Sequence, residues 1–97
     1  MKKFSKNPKL NTVLKAIYDD LQELGIDEIK RYKKEFKHEK DYNIAQYGNM
    51  LIYFDDVRSL YKKAGYKTLI KYSDSKIWDI YLHQVRYMAN LITEGRV

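Results

Sequence analysis

Cysteine is absent from this 97-residue chain, and proline and glycine are scarce, with one and four copies. Without cysteine the protein can form neither a disulfide framework nor a thiolate metal site, and it has no thiol nucleophile. No apolar run reaches the roughly 18 residues of a membrane span, and the first ten residues, MKKFSKNPKL, contain no hydrophobic signal core. We therefore expect a cytoplasmic protein with no membrane partner.

Sequence motifs of known enzyme chemistry are absent as well. The chain contains no glycine-rich phosphate loop, HExxH motif, nucleophile elbow or EF-hand spacing. Its two histidines are His38 and His83, and the position of His83, four residues after Asp79, suits a surface hydrogen bond better than a general base. The pair Asp55-Asp56 suits a helix cap better than a cation site. We expect no catalytic residues, no metal and no cofactor, and thus not an enzyme.

The spacing of apolar residues predicts a first helix at 8–24 and a last helix at 74–93. The first begins at Asn7-Pro8, which are a capping residue and a first-turn proline, and ends at Gly25. The last begins at Ser73 or Ser75, and its apolar arc covers more than half of its circumference, so it should be a mostly buried central helix. We expect Trp78 to be buried and Gln84 to need a hydrogen-bond partner. The apolar stripe of the first helix comprises Leu10, Val13, Leu14, Ile17, Leu21 and Leu24.

The middle of the chain is less clear. A second helix is predicted from a cap at Asp27 to about Lys40, forming a hairpin with the first. Residues 43–64 are interpreted as one long helix, bent near Gly48; the alternative is a strand at MLIYF (50–54) followed by a helix. The first interpretation is favoured because no comparable strand could pair with MLIYF. The predicted fold is an all-α, compact four-helix domain at 10–97 behind a mobile basic tail at 1–9, with a winged-helix-like α+β fold as the alternative.

Positive charge dominates the chain, with a net charge of +6, and it falls in blocks at 1–9, 30–40 and 57–72. On a helical wheel the lysines of the second helix lie on one flank of its apolar stripe and the glutamates on the other. A solvated helix face would explain this sorting about as well as a binding surface. The candidate phosphate-binding lysines are Lys30, Lys33, Lys34, Lys37 and Lys40 on the second helix, and Lys62, Lys63, Lys67 and Lys71 near the end of the third.

Tyrosine is frequent, with ten copies, and several stand beside cations. Its flat ring and hydroxyl suit base stacking or a protein interface. Tyr66 and Tyr72 lie outside every apolar stripe and are candidate contact residues, as is Arg86 on the polar strip of the last helix. The tyrosines predicted to face the core are Tyr32, Tyr47, Tyr61, Tyr81 and Tyr87.

These features favour a small basic nucleic-acid-binding protein, with DNA preferred to RNA, that contacts phosphates through its lysine-rich faces. The tail lysines Lys2, Lys3, Lys6 and Lys9 would add unspecific attraction. The alternative is a protein-binding module or inhibitor of phage or plasmid type, which would meet an acidic protein surface through basic and tyrosine side chains. A homodimer formed through the last helix is compatible with either function.

Overall fold

A computed structural model describes residues 4–35 and 54–97. Four α-helices occur in these ranges: α1 (Pro8–Leu24), α2 (Ile26–Glu35), α3 (Phe54–Ala64) and α4 (Asp74–Thr93), with a short 3₁₀ turn at Leu69–Lys71. Neither described range contains a strand, so the all-α prediction is confirmed there and the winged-helix-like alternative is not supported. The predictions for residues 36–53, including the extension of the second helix to Lys40 and the bend near Gly48, lie outside the described residues.

Local capping contacts set the ends of α1 as predicted. The Asn7 side chain accepts hydrogen bonds from the backbone N–H groups of Lys9 and Leu10, at 2.9 and 3.3 Å, and Pro8 occupies the first turn. At the other end Gly25 has a φ of 87° and a ψ of 157°, and its N–H bonds to the carbonyl of Leu21. This backbone region is open almost only to glycine. Gly25 can therefore connect α1 to α2 without any further linking residue.

The start of α2 differs from the prediction, because the helix begins at Ile26 and not behind a cap at Asp27. The Ile29 N–H donates to the Gly25 carbonyl at 3.1 Å, so the residue that ends α1 also accepts the first hydrogen bond of α2. Asp27 instead lies in the first turn, where a carboxylate interacts favourably with the helix dipole.

Replacing Gly25 with alanine should lower the free energy of unfolding by about 1–3 kcal/mol. A Cβ atom at this position would meet no atom within 4 Å, so the cost comes from backbone strain and not from a clash. Glu23→Ala, at an exposed position in the last turn of the same helix, is the control and should change little. Urea unfolding of both variants measures the difference, and equal stabilities would contradict the strained backbone.

α4 packs against α1, α2 and α3 and contributes more buried side chains than any other described helix, while α1 also packs against the other three helices. α2 and α3 each contact both α1 and α4, but among the described residues they have few or no contacts with each other. They therefore occupy separate parts of the surface that α1 and α4 form. The buried side chains are Val13, Leu14, Ile17 and Leu21 of α1, Ile29 of α2, Val57 and Tyr61 of α3, and Ile77, Trp78, Tyr81, Leu82, Val85, Met88, Ala89 and Leu91 of α4.

Individual core predictions can be checked on α4. Trp78 is 3% exposed, which confirms its burial, and Ser73 rather than Ser75 caps the helix, accepting from the Lys76 N–H at 3.3 Å. Gln84 has the partner it needs, because the Tyr61 hydroxyl donates to its Oε1 atom. Burial raises the pKa of Tyr61, which keeps the hydroxyl protonated as a donor.

Among the tyrosines predicted to face the core, Tyr61 and Tyr81 are buried as expected, whereas Tyr87 is 48% exposed and that prediction is wrong. Tyr87 lies at the margin of the apolar arc, where the other helices do not enclose its ring. The side chain of Tyr32 and the whole of Tyr47 are outside the described part of the molecule.

The segment before α1 folds back along the helix. The Phe4 N–H donates to the Asn11 side-chain oxygen at 2.7 Å, and the Phe4 ring lies 5.1 Å from the ring of Tyr18, centroid to centroid. These contacts give the chain from Phe4 onward a defined position against α1. The mobility expected for residues 1–9 stays a prediction.

Candidate functional site

Residues 62–76, which run from the end of α3 into the first turn of α4, are named here the basic turn. This segment contains a single acidic residue, Asp74, against five lysines. All five lysine side chains are exposed. They are Lys62, Lys63, Lys67, Lys71 and Lys76.

Arg58 of α3 holds the basic turn in place. Its guanidinium donates to the carbonyl oxygen of Ile70, to that of Tyr72 at 3.5 Å, and to the carboxylate of Asp74. Three contacts from one planar group fix the path of the backbone into α4. They also pair the only acid of the segment with a cation from outside it. The five lysines are thereby left with no unpaired acid within their own segment.

No lysine of the basic turn forms an ion pair with any residue that the structure describes. Lysines on a solvated protein surface often alternate with acids that offset their charge. Here five positive charges stand within fifteen residues around one neutralised carboxylate. Such a cluster produces a local positive potential that attracts and orients polyanions.

Tyr72 is an exposed aromatic residue within the basic turn, with 40% of its surface accessible. The Lys76 ammonium lies 4.5 Å from its ring centroid, in cation–π contact. The Tyr72 N–H donates to the Leu69 carbonyl at 3.0 Å, so hydrogen bonds hold both the N–H and the carbonyl of this residue. The sequence-predicted contact residue thus lies at the surface, on a fixed backbone.

Tyr66, the other predicted contact tyrosine, faces inward for the most part. Its ring meets the buried ring of Tyr61 edge-on at 5.5 Å, and it packs against the core. Burial raises the pKa of Tyr66. The part of Tyr66 in binding stays a prediction. Its packing against Tyr61 supports the start of the basic turn.

The N-terminus of α1 brings a further cation to the basic turn. The side chain of Lys9 crosses Gly65, with its Cε atom 3.4 Å from where a side chain at position 65 would begin. Lys9 is itself exposed. A lysine expected to act in a mobile tail therefore lies against Gly65, which stands between Lys63 and Lys67 in the sequence.

The lysines of α2 form a separate group. Lys30 and Lys34 are exposed, whereas Lys33 is half-buried and its ammonium donates to the Thr93 hydroxyl at 2.8 Å, which joins α2 to the end of α4. Lys37 and Lys40 lie outside the described residues. Because α2 and α3 have little or no contact with each other in the described ranges, the structure does not bring this group next to the basic turn.

Arg86 lies on a different stretch of α4, in a cleft of about 200 Å³ lined also by Asp79, Leu82 and His83. The His83 Nε2 atom is 3.7 Å from an Asp79 carboxylate oxygen, so the two side chains are neighbours at the surface but are too far apart for the hydrogen bond expected from their spacing. No group of three or more histidine, aspartate or glutamate side chains within 4–35 and 54–97 is arranged to hold a metal ion.

The outer face of α1 carries the opposite charge, with Asp19, Asp20 and Glu23 all exposed. Partial burial, together with the neighbouring carboxylates of Glu23 and Asp19, raises the pKa of Asp20. Like charges are therefore close enough to repel one another there. A polyanion would be repelled from this face and attracted to the basic turn.

Sequence reasoning missed two residues that shape the candidate site, Lys76 of the basic turn and Arg58 of α3. Lys76 is four residues after Tyr72, a spacing that brings side chains together across a helix start and could have indicated the contact. Arg58 had no local signal, because the atoms it binds are 12 to 16 residues away along the chain.

Comparisons with protein-family models, with curated proteins and with solved structures find no match for this chain. Among the helices described, none is long and apolar enough to cross a membrane. The chemistry of the surface is therefore the basis for assigning a function.

Proposed function

We propose that the protein binds nucleic acid through the basic turn. The observation that carries this proposal is the set of five exposed lysines that lack ion pairs with described residues, around an acid already paired with Arg58. Lysine ammonium groups bind phosphates as point charges and release condensed counterions from the nucleic acid. Lys9 adds to the same cluster from α1.

The binding is predominantly electrostatic, with little reading of sequence. Lysine contacts to phosphates position a nucleic acid without distinguishing its bases. Lys30 and Lys34 on α2 provide a second, separate contact for a longer strand. Asp19, Asp20 and Glu23 on α1 oppose binding on their own face, which gives the bound strand a preferred side of the molecule.

A second candidate function is a protein-binding module that meets an acidic surface. The exposed rings of Tyr72 and Tyr87 favour it, because tyrosine is enriched at protein interfaces. The two functions differ in the range of partners that each would bind. A phosphate-binding turn takes any nucleic acid at low salt, whereas a protein-binding module needs the shape of one partner.

Fluorescence anisotropy with random-sequence duplex DNA, single-stranded DNA and RNA, each at several salt concentrations, tests the proposal. We expect binding at low salt, with log K falling linearly against log salt by about 0.9 for each duplex phosphate contacted and about 0.7 for each single-strand phosphate. Poly-glutamate of similar length is the control. Tighter binding to poly-glutamate than to any nucleic acid, or no nucleic-acid binding at low salt, would reject the proposal. The preference for DNA over RNA stays a prediction.

A further inference from the structure

Tyr72 differs from the other exposed tyrosine of the described residues in what surrounds it. Each of the two directly follows a cation, Lys71 or Arg86, but Tyr72 also lies beneath the Lys76 ammonium, and hydrogen bonds hold its backbone N–H and carbonyl. Tyr87 is as exposed but lines a cleft that contains no lysine or arginine side chain; its other lining residues are Phe4, Ser5, Leu10, Leu14, His83 and Gln84. Of these two exposed tyrosines that the structure describes, Tyr72 is thus the one whose ring lies within a cluster of cations.

A flat ring among phosphate-binding groups suits an unpaired base. Bases in a duplex are stacked on their neighbours, so their faces are closed to a protein side chain, whereas bases of a single strand can turn outward and stack on an aromatic ring. Every base has such a face, so stacking of this kind adds affinity without requiring a particular sequence.

We infer that the basic turn receives single-stranded nucleic acid, with one base stacked on the ring of Tyr72 and the flanking phosphates on Lys71 and Lys76. This inference rests on the proposed function and specifies its ligand. Hydrogen bonds to the Tyr72 backbone place the ring before the strand arrives, which reduces the entropy lost on binding.

The contact between Lys76 and the ring does not prevent stacking. An exposed cation–π contact contributes only about a 2- to 5-fold change in an equilibrium constant. Removing an aromatic side chain on which a base stacks lowers the affinity for the strand by about 5- to 150-fold. A base can therefore displace the ammonium from the ring. The displaced ammonium remains within reach of the phosphate of the same nucleotide.

The test compares Tyr72→Ala, Tyr72→Phe and the control Tyr87→Ala for binding to an oligothymidylate and to a random duplex, by anisotropy at fixed salt. Tyr72→Ala should weaken single-strand binding by about 5- to 150-fold and leave the salt slope unchanged, because it removes no phosphate contact. Duplex affinity should change by less than about 2-fold, since no base face is open there. Tyr72→Phe should bind as the wild type does, and so should Tyr87→Ala. Circular dichroism confirms that each variant remains helical.

Two results would overturn the inference while leaving the proposed function in place. One is unchanged single-strand binding by Tyr72→Ala, and the other is an equal loss on single strand and duplex, which would make the ring a support for the turn and not a stacking surface. Failure of the wild-type protein to bind either oligonucleotide at low salt would reject the proposed function and the inference together.

Discussion

Replacing Trp78 with alanine is expected to lower the free energy of unfolding by about 3–5 kcal/mol. The indole is 3% exposed and its ring centroid lies 5.7 Å from that of Tyr81 on the same helix. It belongs to α4, which contacts all three other α-helices of the described residues, so the cavity left behind would disturb the centre of the core. Natural domains have only about 5–15 kcal/mol of stability. The variant should therefore be close to unfolding at ambient temperature.

Urea unfolding followed by circular dichroism measures this loss, with Tyr87→Ala as the matched control. Tyr87 is an aromatic residue of the same helix, but its 48% exposure means that truncation should cost no more than about 0.5 kcal/mol. In the wild-type protein the only tryptophan should also emit at a blue-shifted wavelength. Equal costs for the two variants, or emission like that of free tryptophan, would contradict the enclosure of Trp78.

The helix ends that could be predicted from sequence are those made by neighbours along the chain. Asn7 and Ser73 each cap a helix through a backbone N–H two or three residues away, and Gly25 ends α1 through its own φ angle. Such contacts depend on residue type and spacing alone. The cap of α2 was misplaced by two residues, at Asp27, because the Gly25 carbonyl, and not a side chain, accepts the first hydrogen bond of the helix.

Burial on α4 could be predicted only in part. The helical wheel gives the direction in which a side chain leaves the helix, but it does not say whether another helix lies there. Tyr81 and Tyr87 both belong to the apolar arc in sequence, yet α4's neighbours enclose Tyr81 and leave Tyr87 at the margin. Tyr66 shows the converse, because a residue outside every stripe packs against Tyr61 once the turn folds back.

The candidate site shows the same limit. The lysines near the end of α3 were candidate phosphate contacts because of their charge, and the structure shows them exposed. They form a distinct surface because Arg58 pairs with Asp74, which is 16 residues further along the chain. The tether of Lys33 to Thr93 spans 60 residues. Contacts at such separations depend on how the helices pack, and no local pattern encodes them.

Removing three lysine charges from the basic turn is expected to weaken nucleic-acid binding more than removing three from residues 30–37. The comparison uses two triple lysine-to-glutamine variants, which change the net charge by the same amount. We expect the basic-turn variant to reduce the slope of log K against log salt by up to about 0.9 per lysine on duplex and about 0.7 on single strands. The first variant changes Lys62, Lys67 and Lys71, and the second changes Lys30, Lys34 and Lys37.

The length of the nucleic acid should decide which of the two lysine groups it contacts, because α2 and α3 occupy separate parts of the α1–α4 surface. An oligonucleotide of about ten nucleotides, within the usual span of one small binding site, should reach the basic turn alone and lose affinity only in the first variant. A longer strand should reach α2 as well and lose affinity in both.

Neutralising Asp19, Asp20 and Glu23 as their amides should leave binding unchanged or strengthen it, since those changes remove repulsion. Helicity by circular dichroism should be the same in all three variants. Equal small effects of the two lysine variants on every oligonucleotide would mean that both groups are solvated surface charges, and binding through the basic turn would then be wrong.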